Sequence, residues 1–200
     1  MPETYTGKTK SLLDVTPRDL INRFGELAYI GLIAVEWSRV EALLAHYFAL
    51  LAFGIREVPD VGESVAIETF ELAKSFSEKR SILLRATLKR IDRKTHDDFK
   101  PVLQDLQDAC NDRNNIMHGR WSMTDEKPYQ LVRYERAASG ERPMKWEGGD
   151  FLKVLDKIRA AGKGLQLFFS ARIEEGLKPV PEPWISELTA ALQRKDSIES

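Results

Sequence analysis

The chain has 200 residues, 42% of them apolar and 30% charged, with a formal net charge of −1. Those totals fit one globular domain with a sizeable core, and near-neutrality excludes the whole-molecule field of a general nucleic-acid binder, so any basic surface must be local. A single cysteine, Cys110, excludes an internal disulfide and a cysteine-built metal site and suits a reducing compartment.

No apolar run nears the roughly 18 residues of a membrane span, and the first ten residues lack the apolar stretch of a secretory signal. The expected location is the cytoplasm, with no membrane association. Residues 1–15 read as an N-terminal extension. "VTPRDL" then opens a helix, with Thr16 as N-cap, Pro17 at the first helical position and Asp19 in the first turn. The pattern continues to Phe53: Leu27, Ile30, Ala34, Trp37, Leu44, Phe48 and Leu51 recur at steps of three and four. A second set, Tyr29, Ile33, Val40, Leu43 and Tyr47, widens the stripe. A helix apolar over so much of its circumference belongs at a centre or in an oligomer interface.

"GIREVPDVGES" supplies Gly54, Pro59 and Gly62 and predicts a loop. Helices are expected over 64–76 and 77–93, capped by Ser64 and Ser77, and "DRKTHDD" is read as the break before a helix over 97–118. Beyond Gly119 the period changes to two: Leu131, Arg133 and Glu135 alternate with Val132, Tyr134 and Arg136, Ser139-Gly140 marks a turn, and the strand pattern resumes at Met144–Trp146. This predicts a hairpin at about 121–147, with "GRWSM" as a possible third strand. A last long helix is expected over 151–175, capped by Asp150 and weakened at Gly162 and Gly164. A Pro-rich stretch, a short helix and a frayed tail fill 179–200. The expected fold is therefore mainly α: an up-and-down helical bundle of four to five helices, with a small β-hairpin insertion before the last long helix.

The helix over 97–118 ends oddly. Phe99, Val102, Leu103, Leu106, Ala109 and Cys110 form its stripe, and the same stepping next reaches Arg113 and Met117. Arg113 thus stands where an apolar side chain is expected, and a permanently charged guanidinium there needs a carboxylate, a carbonyl or a bound anion. One solution is a structural pair with Glu41, itself a carboxylate on the apolar seam of the first helix, with Glu36 a less well-placed competitor. The other is a phosphate in a cleft, which the planar fork of arginine suits. His118 follows at about 140° round the helix from Arg113, and Asn114, four residues before it, shares its face. Gly119 is expected to take the left-handed conformation that ends many helices.

Arg113, then Asn114-Asn115-Ile116-Met117, then His118 at the end of an interior helix resembles the hallmark of the HEPN superfamily of small helical domains. "WSRVEALLAHYF", "SEKRSILLRATLKR" and a closing helix after a hairpin are similar to that superfamily too, over roughly residues 17–175. The resemblance implies a metal-independent endoribonuclease acting as a homodimer whose two motifs meet in one cleft, with Arg113 and His118 catalytic, Asn114 assisting, and RNA as substrate; Asn115, beside them in sequence, and Glu41, on the seam of the first helix, are the candidates for support. Such proteins include toxins, so an antitoxin-like protein partner is also implied. Other members bind nucleotides or proteins without catalysis, within stress or defence systems, and that is the alternative.

The chemistry suits the residue types. RNA cleavage without a metal uses the 2′-hydroxyl as nucleophile; histidine serves as proton acceptor or donor near neutrality, and arginine offsets charge on the phosphorane. Elsewhere the signals are weaker. His46 reads as a core or interface residue and His96 as a solvated loop residue, so neither a metal site nor a cofactor is expected. Lys79, Arg80, Arg85, Lys89, Arg90, Arg93 and Lys94 form either a solvated face or a phosphate-tracking strip, of which Lys89 and Arg93 are the RNA candidates. Arg120 and Trp121, with Arg133, Tyr134 and Lys145, could give the hairpin a basic, base-stacking surface or merely cover a core edge.

Overall fold

The computed structural model describes residues 2–11, 24–53, 60–125, 130–137 and 140–173. The expected helix start at Thr16, Pro17 and Asp19, and everything expected over 179–200, lie outside the described residues. The described residues are mainly helical: α1 (Phe24–Phe53), α2 (Asp60–Glu71), α3 (Phe76–Arg90), α4 (Arg93–Met117) and α5 (Gly148–Ile173). Five strands accompany them, β1 (Glu3–Thr4), β2 (Thr9–Ser11), β3 (Arg120–Thr124), β4 (Leu131–Ala137) and β5 (Gly140–Trp146).

The strands correct the expectation of a small hairpin insertion. They form one five-stranded antiparallel sheet in the order β1-β5-β4-β3-β2. The expected N-terminal extension supplies both edges, Glu3 opposite Lys145 on one side and Lys10 opposite Met123 on the other. Strands of two and three residues carry no readable period, and their pairing spans more than a hundred residues, so the local pattern is silent about them. Between β4 and β5, Ala137 faces Gly140, whose φ of +114° is a conformation that side chains rarely adopt.

Helix boundaries also move, each for a capping reason. α3 starts at Phe76 because Ser75, not Ser77, is its N-cap: the Ser75 hydroxyl accepts from the Glu78 amide while the Glu78 carboxylate accepts from the Ser75 amide. "DRKTHDD" is no break. Asp92 accepts from the Thr95 amide (3.0 Å) and hydroxyl (2.6 Å), so α4 is already under way at Arg93. α2 begins at Asp60, inside the expected loop, leaving Ser64 within the helix. α5 begins at Gly148, and Asp150 sits in its first turn, accepting from the Glu147 amide at 3.3 Å.

The chain divides into two compact units. The first holds residues 1–39 and 108–161, and the second 40–107 and 162–200. In the first, Ile33, Trp37, Ile116, Met123, Leu131, Val132 and Phe151 are buried. Against one sheet face an aromatic group gathers: Trp121 packs 5.7 Å from Trp146 and 5.7 Å from Phe151, and Phe151 lies 6.2 Å from Tyr29. Burying a ring such as Phe151 fully contributes about 2–3 kcal/mol. In the second unit, Leu44, Phe48, Phe70, Leu83, Phe99, Leu103, Leu106 and Phe169 form the core, with Phe48 on Phe70 (5.2 Å) and Tyr47 stacked on Phe169 (4.0 Å). Gly162 is tolerated in α5 because a β-carbon there would stand 3.1 Å from Val40 Cγ2.

Two polar residues of the second unit reverse their expected places. Arg90, read as part of a solvated basic face, is 2% exposed at the end of α3. His96, read as a solvated loop residue, is buried in the first turn of α4 with Nδ1 2.9 Å from the Thr87 hydroxyl. Burial holds its pKa below the ordinary histidine value, aided by the positive charges of Lys100 and Arg93 and opposed by Asp97.

Candidate functional site

The candidate site lies where α4 gives way to β3, within the first unit. Of the positions that the stepping along α4 nominated as seam, neither Arg113 nor Met117 is buried; Ile116 fills the place instead, at 1% exposure. The helix therefore turns its last buried contact by one residue and leaves Arg113 at its margin, half-buried.

Arg113 donates from Nη1 to Asn114 Oδ1 at 2.9 Å. Its Nε is buried and has no hydrogen-bond partner among the described residues, and no ion pair to Arg113 exists among them. The carboxylates that competed for it are otherwise engaged. Glu41, in the second unit, accepts from Lys79 at 3.1 Å. Glu36 accepts from Arg159 at 2.9 Å and from Arg39 at 3.2 Å, and the hydrogen bond from Arg159 leads the interactions that hold its carboxyl below the usual range. Asp112, beside Arg113 in sequence, is bridged by Lys157 at 2.7 Å.

Asn114 is exposed and ties the site together. Its Oδ1 holds Arg113, its Nδ2 donates to Cys110 Sγ at 3.5 Å, and its backbone carbonyl accepts from the His118 amide at 2.9 Å. His118 is exposed in the turn that follows Met117. The side chain of Asn115 is exposed, and its carbonyl faces Gly119. Gly119 itself corrects an expectation: it is not left-handed, since Gly140 alone among the described glycines has a positive φ. Glycine is needed for space, because a β-carbon there would stand 2.6 Å from the Asn115 carbonyl oxygen.

The RNA candidates on the sheet divide. Arg120 is exposed, 4.7 Å over the Tyr134 ring and bridged to Glu141 at 2.9 Å. Trp121 is half-buried in the aromatic group, and its Nε1 donates to the Ile116 carbonyl at 2.9 Å, so its ring is packed against Trp146 and Phe151 rather than free as a stacking platform. Lys89 and Arg93 are exposed in the second unit. Among the described residues no group of three or more His, Cys, Asp or Glu side chains is placed to hold a metal ion, and no helix is long and apolar enough to cross a membrane.

Of the two readings open for Arg133, a basic surface or cover for a core edge, the structure favours the second, burying it at 7% exposure. Its Nη2 lies 2.9 Å from Glu135 Oε1, its guanidinium 5.1 Å over Trp146, and its stem against Gly119. Burial lowers its pKa, against the pull of Glu135 and Asp112. A signal was present in the alternation, which puts Arg133 on the same strand face as the buried Leu131. Compared with protein-family models, with curated proteins and with solved structures, the chain shows no match.

Proposed function

We propose that the chain is a metal-independent endoribonuclease of HEPN type, with an up-and-down bundle as its helical framework. His118 transfers protons, Arg113 clamps the phosphate and Asn114 orients the arginine. The observation that carries this reading is the state of Arg113: a half-buried guanidinium with an unfilled Nε, without a carboxylate among the described residues, and aimed by the residue whose carbonyl also holds the His118 amide. Such a charge lacks a counter-charge among the described residues, which favours an anion at the outer end of its fork.

In the reaction a base takes the proton of the ribose 2′-hydroxyl, the oxygen attacks the adjacent phosphorus, and the bond to the 5′-oxygen breaks as an acid protonates it. The products are a 2′,3′-cyclic phosphate and a 5′-hydroxyl. Arg113 neutralises charge on the pentacoordinate phosphorus. One histidine per site supplies either the base or the acid, and a second copy of the chain supplies the other, so the active species is a homodimer. An exposed stripe on α1, Gly25, Ala28, Leu32 and Val35 at steps of three and four, supports a second copy as partner. The cytoplasm as workplace and an antitoxin-like protein as regulator belong to the same reading.

The test is cleavage of RNA in EDTA by the wild type, His118→Ala and Arg113→Ala. Loss of a proton-transfer group costs roughly 10²–10⁴-fold in rate, and loss of the clamp a comparable amount. Equal activity in all three removes the assignment. Tight nucleotide binding without cleavage, weakened by Arg113→Ala, would move the site to the non-catalytic alternative.

A further inference from the structure

The strand β4 reaches the candidate site through one side chain that the reaction does not need. On its face of the sheet, Arg133 is surrounded in register by Trp121 on β3 and Met144 on β5, with Leu131 and Trp146 one pair further along. An apolar residue would satisfy that surface. A buried guanidinium with an unfilled Nε is a poor choice for stability alone, since desolvation offsets what the ion pair to Glu135 returns.

What arginine offers here is a stem anchored at its far end. Glu135 fixes Nη2, the Trp146 ring lies under the guanidinium, and the chain between is drawn across Gly119: a β-carbon there would meet Arg133 Cδ at 3.0 Å and Cγ at 3.1 Å. A methionine of similar length would fill the space with three free torsions and no anchor. The last turn of α4, just before, is held by Trp121, whose indole donates to the Ile116 carbonyl. The residues Met117–Gly119 are thus gripped by two strands, and His118 is carried between the grips.

We propose that Arg133 is a positioning residue for the candidate site: its anchored stem, laid against Gly119, fixes the turn that carries His118 and so the place of the imidazole. The proposal rests on the ribonuclease reading for its catalytic consequence, and on the turn itself for its structural one. Arg133 touches no substrate; it acts through Gly119.

The experiment compares full-length Arg133→Ala, Arg133→Met and Arg133→Lys with the wild type by amide hydrogen exchange and by RNA cleavage kinetics. In the Ala and Met variants the His118 amide, bonded to the Asn114 carbonyl, exchanges about tenfold faster or more, while Ala109 in α4 and Val132 in β4 keep their protection. In the same two variants kcat falls by about a hundredfold with KM unchanged, as displacement of a reacting group by an ångström would cause. Arg133→Lys, which keeps a long stem and a charge for Glu135, restores both. The proposal is overturned if His118, Ala109 and Val132 lose protection together, if His118 exchange does not change, or if KM rises while kcat holds. Should the wild type cleave no RNA, the ribonuclease reading fails by itself, and the exchange pattern still decides whether Arg133 fixes the turn.

Discussion

Arg113 is held by its own neighbour: Nη1 donates to Asn114 Oδ1 at 2.9 Å, and the amide of Asn114 reaches back to Cys110 at 3.5 Å. The side chain of residue 114 is therefore the lever on the guanidinium. Asn114→Ala releases it, and kcat on RNA is expected to fall by about tenfold, the cost of roughly one hydrogen bond. Asn114→Asp puts a carboxylate where the amide oxygen was and competes with substrate phosphate. It should raise KM more than Asn114→Ala does, and steady-state kinetics on one RNA distinguish the two.

Gly119→Ala places a β-carbon 2.6 Å from the Asn115 carbonyl oxygen, and a backbone atom cannot swing aside as a side chain can. Overpacking of this kind costs about 1–3 kcal/mol. Urea unfolding monitored by tryptophan fluorescence should show a lower midpoint with an unchanged slope. Gly149→Ala, with nothing within 4 Å of the added carbon, serves as the control and should leave the midpoint near that of the wild type.

Trp121→Phe keeps a ring in the aromatic group and removes the indole N–H that satisfies the Ile116 carbonyl. The expected loss is about 1 kcal/mol of stability. RNA affinity, measured by filter binding, should not change, whereas Arg120→Ala, at an exposed cation over Tyr134, should weaken it. A large loss of affinity in Trp121→Phe with full stability would return Trp121 to the substrate surface.

Histidine 96 sets a pH limit on the fold. Its folded pKa lies below the ordinary 6.5 because burial disfavours the imidazolium. Between the folded value and 6.5 the unfolded chain binds the extra proton, so its contribution is complete above 6.5 and is lost as pH falls through that window, at up to about 1.4 kcal/mol per pH unit. Glu36, whose folded pKa is lowered, loses its contribution only further down, below the ordinary 4.5. Denaturant midpoints at pH 7 and pH 5 should differ less in His96→Gln than in the wild type.

The elements that could be read locally were those whose information is local. The three-and-four stepping of Phe99, Leu103 and Leu106 located α4, and the alternation around Arg133 located β4. The misreadings share a cause. "DRKTHDD" looks like a loop because every residue is polar, yet Asp92 is a cap and His96 is buried against Thr87 from the neighbouring helix. Arg90 and Arg133 look solvated because they are charged, yet both are buried, and the head of Arg133 finds its counterpart in Glu135. Around the candidate site, the end of the helix was legible. That Gly119 is there to admit an arginine stem from β4 was not, because it depends on register between a helix end and a strand.

One stretch near the start of the chain reaches both margins of the sheet. Glu3 and Thr4 lie along β5, Thr9 to Ser11 lie along β3, and the Tyr5 amide and the Lys8 carbonyl add bonds to Pro143 and Asp125. The stretch precedes its partners in the chain, so β3 and β5 must have left the ribosome before it has anything to pair with. Until then the meander shows two bare margins at once, each a template for another chain. The same nine residues act as a hem on the sheet, replacing the long margins of β5 and β3 by edge strands of two and three residues, and trimming them would bare both long margins in a single cut and invite edge-to-edge stacking.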